Sequence, residues 1–326
     1  MAFSLDKIKI ASDLLQQGGV SFFCNHNLAP YVAYGVGGPA DIVAFPENRD
    51  QARIALAACK QTEMACVVIG EGTNLLVSDS GLRGMALLTC RGFRELYPDP
   101  TATLERPRIW VGAGLKKSEV LDFAIEQGLS GLEFSSGVPG TVGGGIYMNA
   151  GTKYGCYADI IHTVWGFELG KATSPQFGVD WIKPKSELRF DYRHSSLTNC
   201  WITGVTLELV PSDKTLIQSR VETILAERQQ KQPLDKPSCG STFKNPPDSL
   251  LPAGRLIEQA GLKGMRQGGA VISPKHANFI LNLGGATALD IYELLCRAQQ
   301  RVREKFGIQL EPEVQLVGNF ACQKGG

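Results

Sequence analysis

Residues 128–155 read GLSGLEFSSGVPGTVGGGIYMNAGTKYG, with six glycines between positions 137 and 151. Glycine loses more conformational entropy on ordering than any other residue, so we expect a loop here rather than a helix or strand interior. Val138, Pro139 and Thr141 interrupt the glycines, which distinguishes the stretch from a flexible Gly/Ser linker. One interpretation is a rigid loop whose backbone N–H groups face an anion such as a diphosphate. The other is a glycine-rich turn cluster at the edge of a sheet.

The composition is that of an ordinary soluble protein. The chain has 326 residues, of which 43% are hydrophobic and 20% charged, with a formal net charge of +1. This length predicts about two domains, and the absence of a charged block argues against nucleic-acid and anionic-membrane partners. Residues 1–19 have the apolar/polar mix of an amphipathic helix ending at Gly18–Gly19, with no apolar core or cleavage site of a signal peptide. Nowhere do about eighteen apolar residues follow one another, so we expect no transmembrane helix.

The cysteines and histidines predict neither disulfides nor a metal site. The cysteines are Cys24, Cys59, Cys66, Cys90, Cys156, Cys200, Cys239, Cys296 and Cys322. Their odd number, their wide spacing and the lack of C-x-x-C favour free thiols in a reducing cytoplasm. The four histidines lack metal-ligand spacing.

Helix and strand signals follow one another without the regular β–α alternation of a doubly wound sheet, so we predict an α+β fold in two parts. We place the boundary near Pro211–Ser212, which gives parts 1–211 and 212–326. Predicted helices end at Gly18–Gly19, run from Asn48 to about Lys60, from Ser118 to Gly128, over 213–230, from Pro252, and from Thr287 to Phe306. Predicted strands are Asp41–Phe45, Cys66–Ile69, Leu75–Ser78, Met85–Thr89, Arg108–Val111, 162–168, 200–210, 269–273, 278–282 and Ile308–Val317. We expect Ile54, Leu56 and Ala57 to face inward. The apolar positions of the last helix approximate helical spacing; they are Leu289, Ile291, Leu294, Leu295, Ala298, Val302 and Phe306.

Two shorter glycine turns, Gly35–Gly38 and Gly70–Asn74, do not complete the G-x-G-x-x-G pattern between a strand and a helix, so we reject a Rossmann site. No phosphate-binding P-loop pattern occurs either. Each of the three glycine turns abuts a predicted strand. Hydroxyl and amide side chains accompany them at Thr73, Asn74, Thr141 and Asn149. Several such turns converging on one ligand would suit a long dinucleotide.

A few polar residues have chemistry that could serve a reaction. Arg193 follows Tyr192, and its planar guanidinium suits a carboxylate, although a surface turn is the simpler interpretation. Ser241 lies in a proline-braced loop without a nucleophile-elbow pattern, and the neighbouring Cys239 has no histidine close in sequence. Strand alternation would turn Glu313 inward, where a carboxylate needs a partner or a function, unless it is salt-bridged or exposed at an edge.

In order and spacing, these segments together resemble the UDP-N-acetylenolpyruvoylglucosamine reductase (UDP-N-acetylmuramate dehydrogenase) family from about Tyr34 to Gly318. The segments that carry the resemblance are VGGPADIVAFP, VIGEGTNLLVSDSGLRG, GLEFSSGVPGTVGGGIYMNAGTKYG, FDYRHSS, KQPLDKPSCGSTFKNP, AGRLIEQAGLKGMRQGGAVISPKHANFILN and LEPEVQLVG. The resemblance implies a two-part FAD-binding region of the vanillyl-alcohol-oxidase (PCMH) type, followed by a smaller α+β C-terminal substrate domain. It also implies non-covalent FAD, NADPH as reductant, and UDP-N-acetylglucosamine enolpyruvate as the substrate.

The resemblance further implies a role for each candidate residue. Reduction of an enol ether that bears a carboxylate builds an enolate, which needs a cation and a proton donor. Arg193 matches the enolate-stabilising arginine, Ser241 the proton donor and Glu313 the assisting carboxylate. Cofactor-binding candidates are Gly37, Gly38, Gly70, Gly72, Thr73, Asn74, Gly137, Gly140, Thr141, Gly143, Gly144 and Asn149. Substrate-binding candidates are Tyr192, Lys231, Asn245, Lys263 and His276. Of these, Lys231 suits the substrate diphosphate best, because an ammonium group is a good point charge for phosphate.

The chain departs from the family pattern at a few positions. Ala33 and Gly35 stand where a threonine and a basic residue are usual, Thr73 where serine is common, and Cys239 where alanine is usual. Only about 35 residues separate Arg193 from Arg228, as expected for the second type of the family, which lacks a tyrosine-bearing insertion. The first type has glutamine at the position of His276.

Two other functions remain open from the sequence. One is a flavin oxidase or dehydrogenase of the same fold acting on another alcohol, which would need a base where Ser241 and Glu313 offer a proton donor. The other is a nucleotide-sugar binder without catalytic activity, which would purify colourless rather than yellow. We expect the protein to act as a cytoplasmic monomer.

Overall fold

The computed structural model describes residues 5–320. Its α-helices are α1 (Leu5–Gln17), α2 (Arg49–Thr62), α3 (Lys117–Glu126), α4 (Val142–Tyr147), α5 (Tyr157–Ile160), α6 (Lys214–Lys231), α7 (Ala253–Gln259) and α8 (Ala288–Phe306). The first ten strands are β1 (Ser21–Asn27), β2 (Pro39–Phe45), β3 (Cys66–Ile69), β4 (Leu75–Val77), β5 (Leu82–Leu88), β6 (Leu96–Pro98), β7 (Arg108–Gly112), β8 (Leu129–Ser130), β9 (Gly151–Thr152) and β10 (Gly155–Cys156). The others are β11 (Ile161–Glu168), β12 (Asp180–Pro184), β13 (Phe190–Asp191), β14 (His194–Ser195), β15 (Cys200–Glu208), β16 (Val210–Pro211), β17 (Arg266–Gln267), β18 (Ala270–Ile272), β19 (Ile280–Asn282) and β20 (Gln315–Val317).

The chain forms two compact units, and neither is a single segment. The first unit contains residues 1–24, 41–71 and 84–228, and the second contains 25–40, 72–83 and 229–326. This differs from the contiguous division at 211–212 expected from the sequence. Long-range pairing explains the difference, because β4 pairs in parallel with β20, and the Asn282 side chain donates to the carbonyl of Tyr34 at 2.9 Å. As a division between cofactor and substrate functions, the boundary at 211–212 stays a prediction.

The first unit contains two larger sheets. One has the strand order β12-β11-β15-β7-β6 and is antiparallel throughout. Its central strand β15 is buried along almost its whole length, as its Trp, Ile, Val and Thr residues favour. The other has the order β1-β2-β5-β3, with β3 parallel to β5 and with α1 packed against α2. β1, β2 and β5 each extend across the division into the second unit.

The second unit packs α7, α8 and the sheet β17-β18-β19 around a core of its own. The buried face of α8 presents Ile291, Leu294, Leu295, Ala298 and Val302 to this core. The predicted start of this helix at Thr287 is confirmed, since Thr287 and Asp290 cap each other's backbone N–H groups.

A side-chain cap also sets the start of α2. The Asn48 side chain accepts from the N–H of Gln51 at 3.0 Å, as the sequence predicts. The inward orientation predicted for Ala57 is wrong, because this residue is exposed. The buried stripe of α2 runs through Ala52, Leu56 and Cys59, and Ala57 falls on the opposite side of the helix.

One strand prediction needs correction. The strand predicted over Ile308–Val317 is reduced to β20, because Pro312 has no N–H to donate and forms only an isolated bridge with Phe243. The strand β3 forms where predicted, and Ile69 is its one fully buried residue.

The glycine-rich stretch contains a short helix, α4, where the sequence predicts a loop. Thr141 caps it by accepting from the N–H of Gly144 at 3.3 Å. A Cβ on Gly143 would lie 2.9 Å from the Cβ of Ala113, and one on Gly145 would lie 2.5 Å from the Tyr157 ring. These two glycines therefore serve close packing, and the entropic cost of glycine in a helix is offset by contacts that a larger residue could not make.

Several further expectations concern cysteines, metals and membranes. No disulfide joins any two of the eight cysteines within residues 5–320, while Cys322 lies outside the described residues. Over the same residues, no group of three or more His, Cys, Asp or Glu side chains is arranged to hold a metal ion. None of the helices formed by residues 5–320 is both long and apolar enough to cross a membrane.

Candidate active site

Backbone hydrogen bonds hold the glycine-rich segment of the first unit against the end of β7. Val142 donates to the carbonyl of Leu115 at 2.9 Å, and Gly143 donates to that of Ala113 at 2.9 Å. Lys117, at the start of α3, donates its backbone N–H to the carbonyl of Gly140 at 3.0 Å. These hydrogen bonds attach the segment firmly on one side, while its predicted role in presenting backbone to a ligand stays a prediction.

Two of the three predicted glycine turns meet in this unit. The N–H of Gly140 donates to the Glu71 carboxylate at 3.0 Å, and Gly70 lies so close to the Thr141 hydroxyl that any Cβ would collide with it. Gly140 and Gly137 have φ angles of 111° and 66°, a region that favours glycine. The third turn, Gly37–Gly38, belongs to the second unit together with residues 72–74.

Backbone N–H groups at the predicted cofactor glycines are already bonded within the protein. Gly140 donates to Glu71, Gly143 to Ala113, and Gly144 to the Thr141 hydroxyl. These three N–H groups are therefore not free to donate to a ligand. What the glycines offer a ligand is close approach to a backbone that has no side chains in the way. Gly144 offers that approach best, because it is exposed and a Cβ on it would meet only the Thr141 hydroxyl oxygen, at 3.5 Å. Their role as FAD contacts stays a prediction.

The turns of the second unit are equally tight. Gly38 donates to the carbonyl of Ser78 at 2.8 Å, while Gly37 and Gly72 have φ angles of 133° and 60°. Thr73 is half-buried beside them. The Asn74 side chain donates to the carbonyl of Glu313 at 3.0 Å. A predicted cofactor residue and a predicted catalytic residue are thus in contact within this unit.

The loop that carries Ser241 is clamped by Asn278. The Asn278 carbonyl accepts from the N–H of Thr242 at 2.7 Å, and its side chain exchanges two hydrogen bonds with the backbone of Phe243, at 3.0 and 2.8 Å. The N–H of Glu313 donates to the carbonyl of Thr242 at 2.8 Å. Half-buried Ser241 and half-buried Glu313 therefore flank one hydrogen-bonded junction. Sequence reasoning did not single out Asn278, since its signal is a single asparagine within a recognised segment.

Arg193 lies in the first unit, in the turn between β13 and β14. Its φ of 54° is unusual for a residue with a side chain, and its guanidinium lies 5.0 Å from the centre of the exposed Tyr192 ring. Ser195 anchors the hairpin by donating to the carbonyl of Tyr147 at 2.6 Å. Asn149 also anchors it, by donating to the carbonyl of Asp191 at 3.0 Å.

Both polar groups of the Asn149 side chain are hydrogen-bonded within the protein. Its amide nitrogen donates to Asp191, and its oxygen accepts from the N–H of Ala158 at 3.0 Å. Asn149 is buried and has a φ of 43°. The structure therefore favours a supporting role for its amide, while the cofactor contact predicted for it stays a prediction.

The predicted substrate contacts of the second unit separate into smaller groups. The Lys263 ammonium pairs with the Glu258 carboxylate at 2.7 Å. The positive charge of Lys263 also adds to the effect of burial in lowering the pKa of His276. Burial lowers the pKa of His276, and its Nδ1 accepts from the N–H of Asn278 at 3.3 Å. Asn245 accepts from the N–H of Ala253 at 3.0 Å, at the start of α7. Lys231 is the last residue of α6.

Cys239 is a poor candidate for a nucleophile. Its side chain is buried, its sulfur lies 3.3 Å from the carbonyl of Leu75, and burial raises the pKa of its thiol. Since the thiolate is the reactive form, this cysteine is expected to be chemically inert.

Sequence profiles of two known domains match the chain. The C-terminal domain of UDP-N-acetylenolpyruvoylglucosamine reductase matches residues 232–317, and an FAD binding domain matches residues 40–173. These matches confirm the expectation of an FAD-binding region followed by an α+β C-terminal domain.

Full-length relatives agree with the domain matches. Proteins named UDP-N-acetylenolpyruvoylglucosamine reductase are 39% identical in Moorella thermoacetica (96% of this chain, 99% of the relative) and 42% identical in an Anaeromyxobacter strain (91% and 88%). The crystal structure of the enzyme of that name from Thermus caldophilus superposes with a TM-score of 0.73 at 37% identity, covering 92% of this chain and 99% of the other. The chain therefore belongs to the UDP-N-acetylenolpyruvoylglucosamine reductase family.

Proposed function

We propose that this protein uses NADPH and FAD to reduce the enolpyruvyl ether of UDP-N-acetylglucosamine enolpyruvate to UDP-N-acetylmuramate, a step of peptidoglycan precursor synthesis. Family membership, the matched FAD binding domain and the chemistry of the candidate residues support the proposal. The observation that carries it is the junction at Thr242, which joins the backbone of the Ser241 loop to that of Glu313.

Three side chains would perform the chemistry on the substrate. Protonation of an enolate by serine is favourable only when the acceptor is strongly basic and held close to the hydroxyl. The Asn278 clamp and the Thr242–Glu313 hydrogen bond restrict the Ser241 loop, which supports a donor with a fixed position. Glu313 would assist this proton transfer, and Arg193 would stabilise the negative charge on the enolate and its carboxylate.

Residues of the first unit suit the diphosphate of a dinucleotide. Gly144 leaves bare backbone exposed in the glycine-rich segment. When bound, FAD supplies hydride transfer between NADPH and the vinyl carbon of the substrate. Competing functions are less well supported, because an alcohol oxidase needs a base at Ser241 and a flavin-free binder does not account for the FAD-domain match.

Oxidation of NADPH, followed at the nicotinamide absorbance band, tests the proposal. Yellow purified protein should oxidise NADPH rapidly only when the enolpyruvyl nucleotide sugar is added, and the product should carry a lactyl ether. Colourless protein, or a rate that does not change with this substrate, would contradict the proposed function.

We also propose that the enzyme acts as a monomer in the cytoplasm. The lack of disulfides among the cysteines of residues 5–320 supports a reducing compartment, since such compartments keep thiols reduced. Sedimentation velocity at enzyme concentrations spanning the assay range should give a single species with the mass of one chain.

A further inference from the structure

Lys117 is a buried cation that forms no ion pair with any residue between positions 5 and 320. Its side chain lies at the start of α3, and the residue is only 5% exposed. Within residues 5–320, its ammonium group makes no hydrogen bond or ion pair. An isolated buried ammonium is costly, so such a group is expected to have a partner. The reaction assigns Lys117 no role, and the sequence did not single it out.

The charges around Lys117 are mostly positive. The charges of Arg228 and Arg193 disfavour the protonated form of Lys117, whereas the Glu71 carboxylate favours it. Glu71 is already engaged, because its two oxygens bind the Lys116 ammonium at 3.1 Å and the N–H of Gly140 at 3.0 Å. The carboxylate that acts favourably on Lys117 thus already has two other partners.

Arg228 provides a second, independent sign of a missing anion. Its Nη2 donates to the carbonyl of Gly137 at 3.0 Å, but its buried Nε has no acceptor in the part of the chain that the structure describes. Two neighbouring cations therefore each have an unused donor, and both lie beside the glycine-rich segment that contains Gly137 and Gly140.

The missing partner is an anion with more than one negative charge. A single carboxylate would neutralise only one of the two cations Lys117 and Arg228, whereas a diphosphate carries two negative charges and several acceptor oxygens. Ammonium groups are good point-charge partners for phosphate, and the nearby glycines allow a phosphate to approach the backbone. We propose that Lys117, together with Arg228, binds the diphosphate of FAD. This inference rests on the proposed function.

The competing explanation is that Lys117 serves only as a distant counter-charge for Glu71. Removing Lys117 would then take away a positive charge that stabilises the ionised Glu71 carboxylate, and the flavin-free protein would become less stable. If the partner is instead the diphosphate, removing Lys117 relieves an uncompensated charge in the flavin-free protein and weakens only the bound state. The two explanations therefore predict opposite changes in the stability of the apoprotein.

Titration of the flavin-free full-length protein with FAD tests the proposal through quenching of flavin fluorescence. Lys117→Met should weaken FAD binding roughly 10- to 100-fold, the range expected for loss of a charge-assisted contact. The affinity for riboflavin, which has no phosphate, should stay within about twofold. Lys116→Met is the matched control, because this neighbouring lysine side chain is 55% exposed; it should change the FAD affinity less than about threefold.

Each other outcome has a defined meaning. Equal affinity of wild type and Lys117→Met for FAD overturns the inference, as does an equal loss of FAD and riboflavin binding. Normal FAD binding with a raised KM for NADPH assigns the site to the phosphates of NADPH instead. Failure of both Lys117→Met and Lys117→Gln to fold favours the Glu71 explanation and overturns the inference. Wild-type apoprotein that binds no FAD at all contradicts the proposed function itself.

Discussion

The burial of Lys117 predicts an unusual pH dependence of the stability of the apoprotein. Burial lowers the pKa of Lys117 from its ordinary value of 10.5 to about 8, with Arg228 and Arg193 adding to the effect and Glu71 opposing it. Between these two values the unfolded chain binds more protons than the folded protein, so stability increases as the pH rises. The difference corresponds to about 3 kcal/mol in full, of which about 2 kcal/mol falls between about pH 7 and about pH 9.5.

The prediction can be measured by urea unfolding of apoprotein at pH values across this window, for wild type and for Lys117→Met. Subtracting the free energy of unfolding of the variant from that of the wild type cancels the contributions of the other titrating groups to the pH dependence. The wild type should be less stable than Lys117→Met near neutral pH and should recover about 2 kcal/mol relative to it by about pH 9.5. A constant difference across the window would refute the reasoning, and so would a wild type that loses stability relative to the variant as the pH rises.

Other substitutions test the remaining assignments. Ser241→Ala should stay yellow and be reduced normally by NADPH, while stopped-flow reoxidation by the enolpyruvyl substrate slows at least about 100-fold; Cys239→Ala, in the same loop, should reoxidise normally, and the reverse pattern would contradict the assignment. Arg193→Lys keeps the charge without the planar fork, so kcat with the enolpyruvyl substrate should fall while flavin reduction is unchanged; equal turnover would exclude enolate stabilisation by this residue. Gly144→Val should fold and purify without flavin, because its Cβ meets only a hydroxyl at 3.5 Å in the protein; stoichiometric flavin in this variant would exclude FAD from that surface.

Features that depend on neighbouring residues could be predicted from the sequence. The caps at Asn48 and Thr287 were recognisable because a side chain bonds a backbone N–H only three residues away. The family was recognisable for a related reason. The order and spacing of several short segments can be read directly from the sequence, without knowing how the segments pack. The proximity of Ser241 and Glu313 was implied by the resemblance, and the Thr242 hydrogen bond then accounts for it physically.

Errors in the predicted fold arose where packing overrides local preference. The density of glycine predicted a loop, yet α4 forms because Gly143 and Gly145 fit against Ala113 and Tyr157, which are distant in sequence. Ala57 likewise fits a helical pattern, but the position of the neighbouring core turns it outward.

The sequence by itself determined six of the eight α-helices and ten of the twenty strands found in residues 5–320. It also determined the family and the chemical identity of the candidate residues, because these depend on residue type and short-range spacing. Tertiary structure decided that residues 25–40 and 72–83 belong with the C-terminal residues and that Asn278 clamps the Ser241 loop. It also decided that Lys117 is buried without an ion-pair partner among the described residues. Nothing in the pair Lys116–Lys117 tells which lysine is exposed and which is buried. That difference depends on where α3 meets the glycine-rich segment and Glu71, and such long-range contacts form only when the chain has folded.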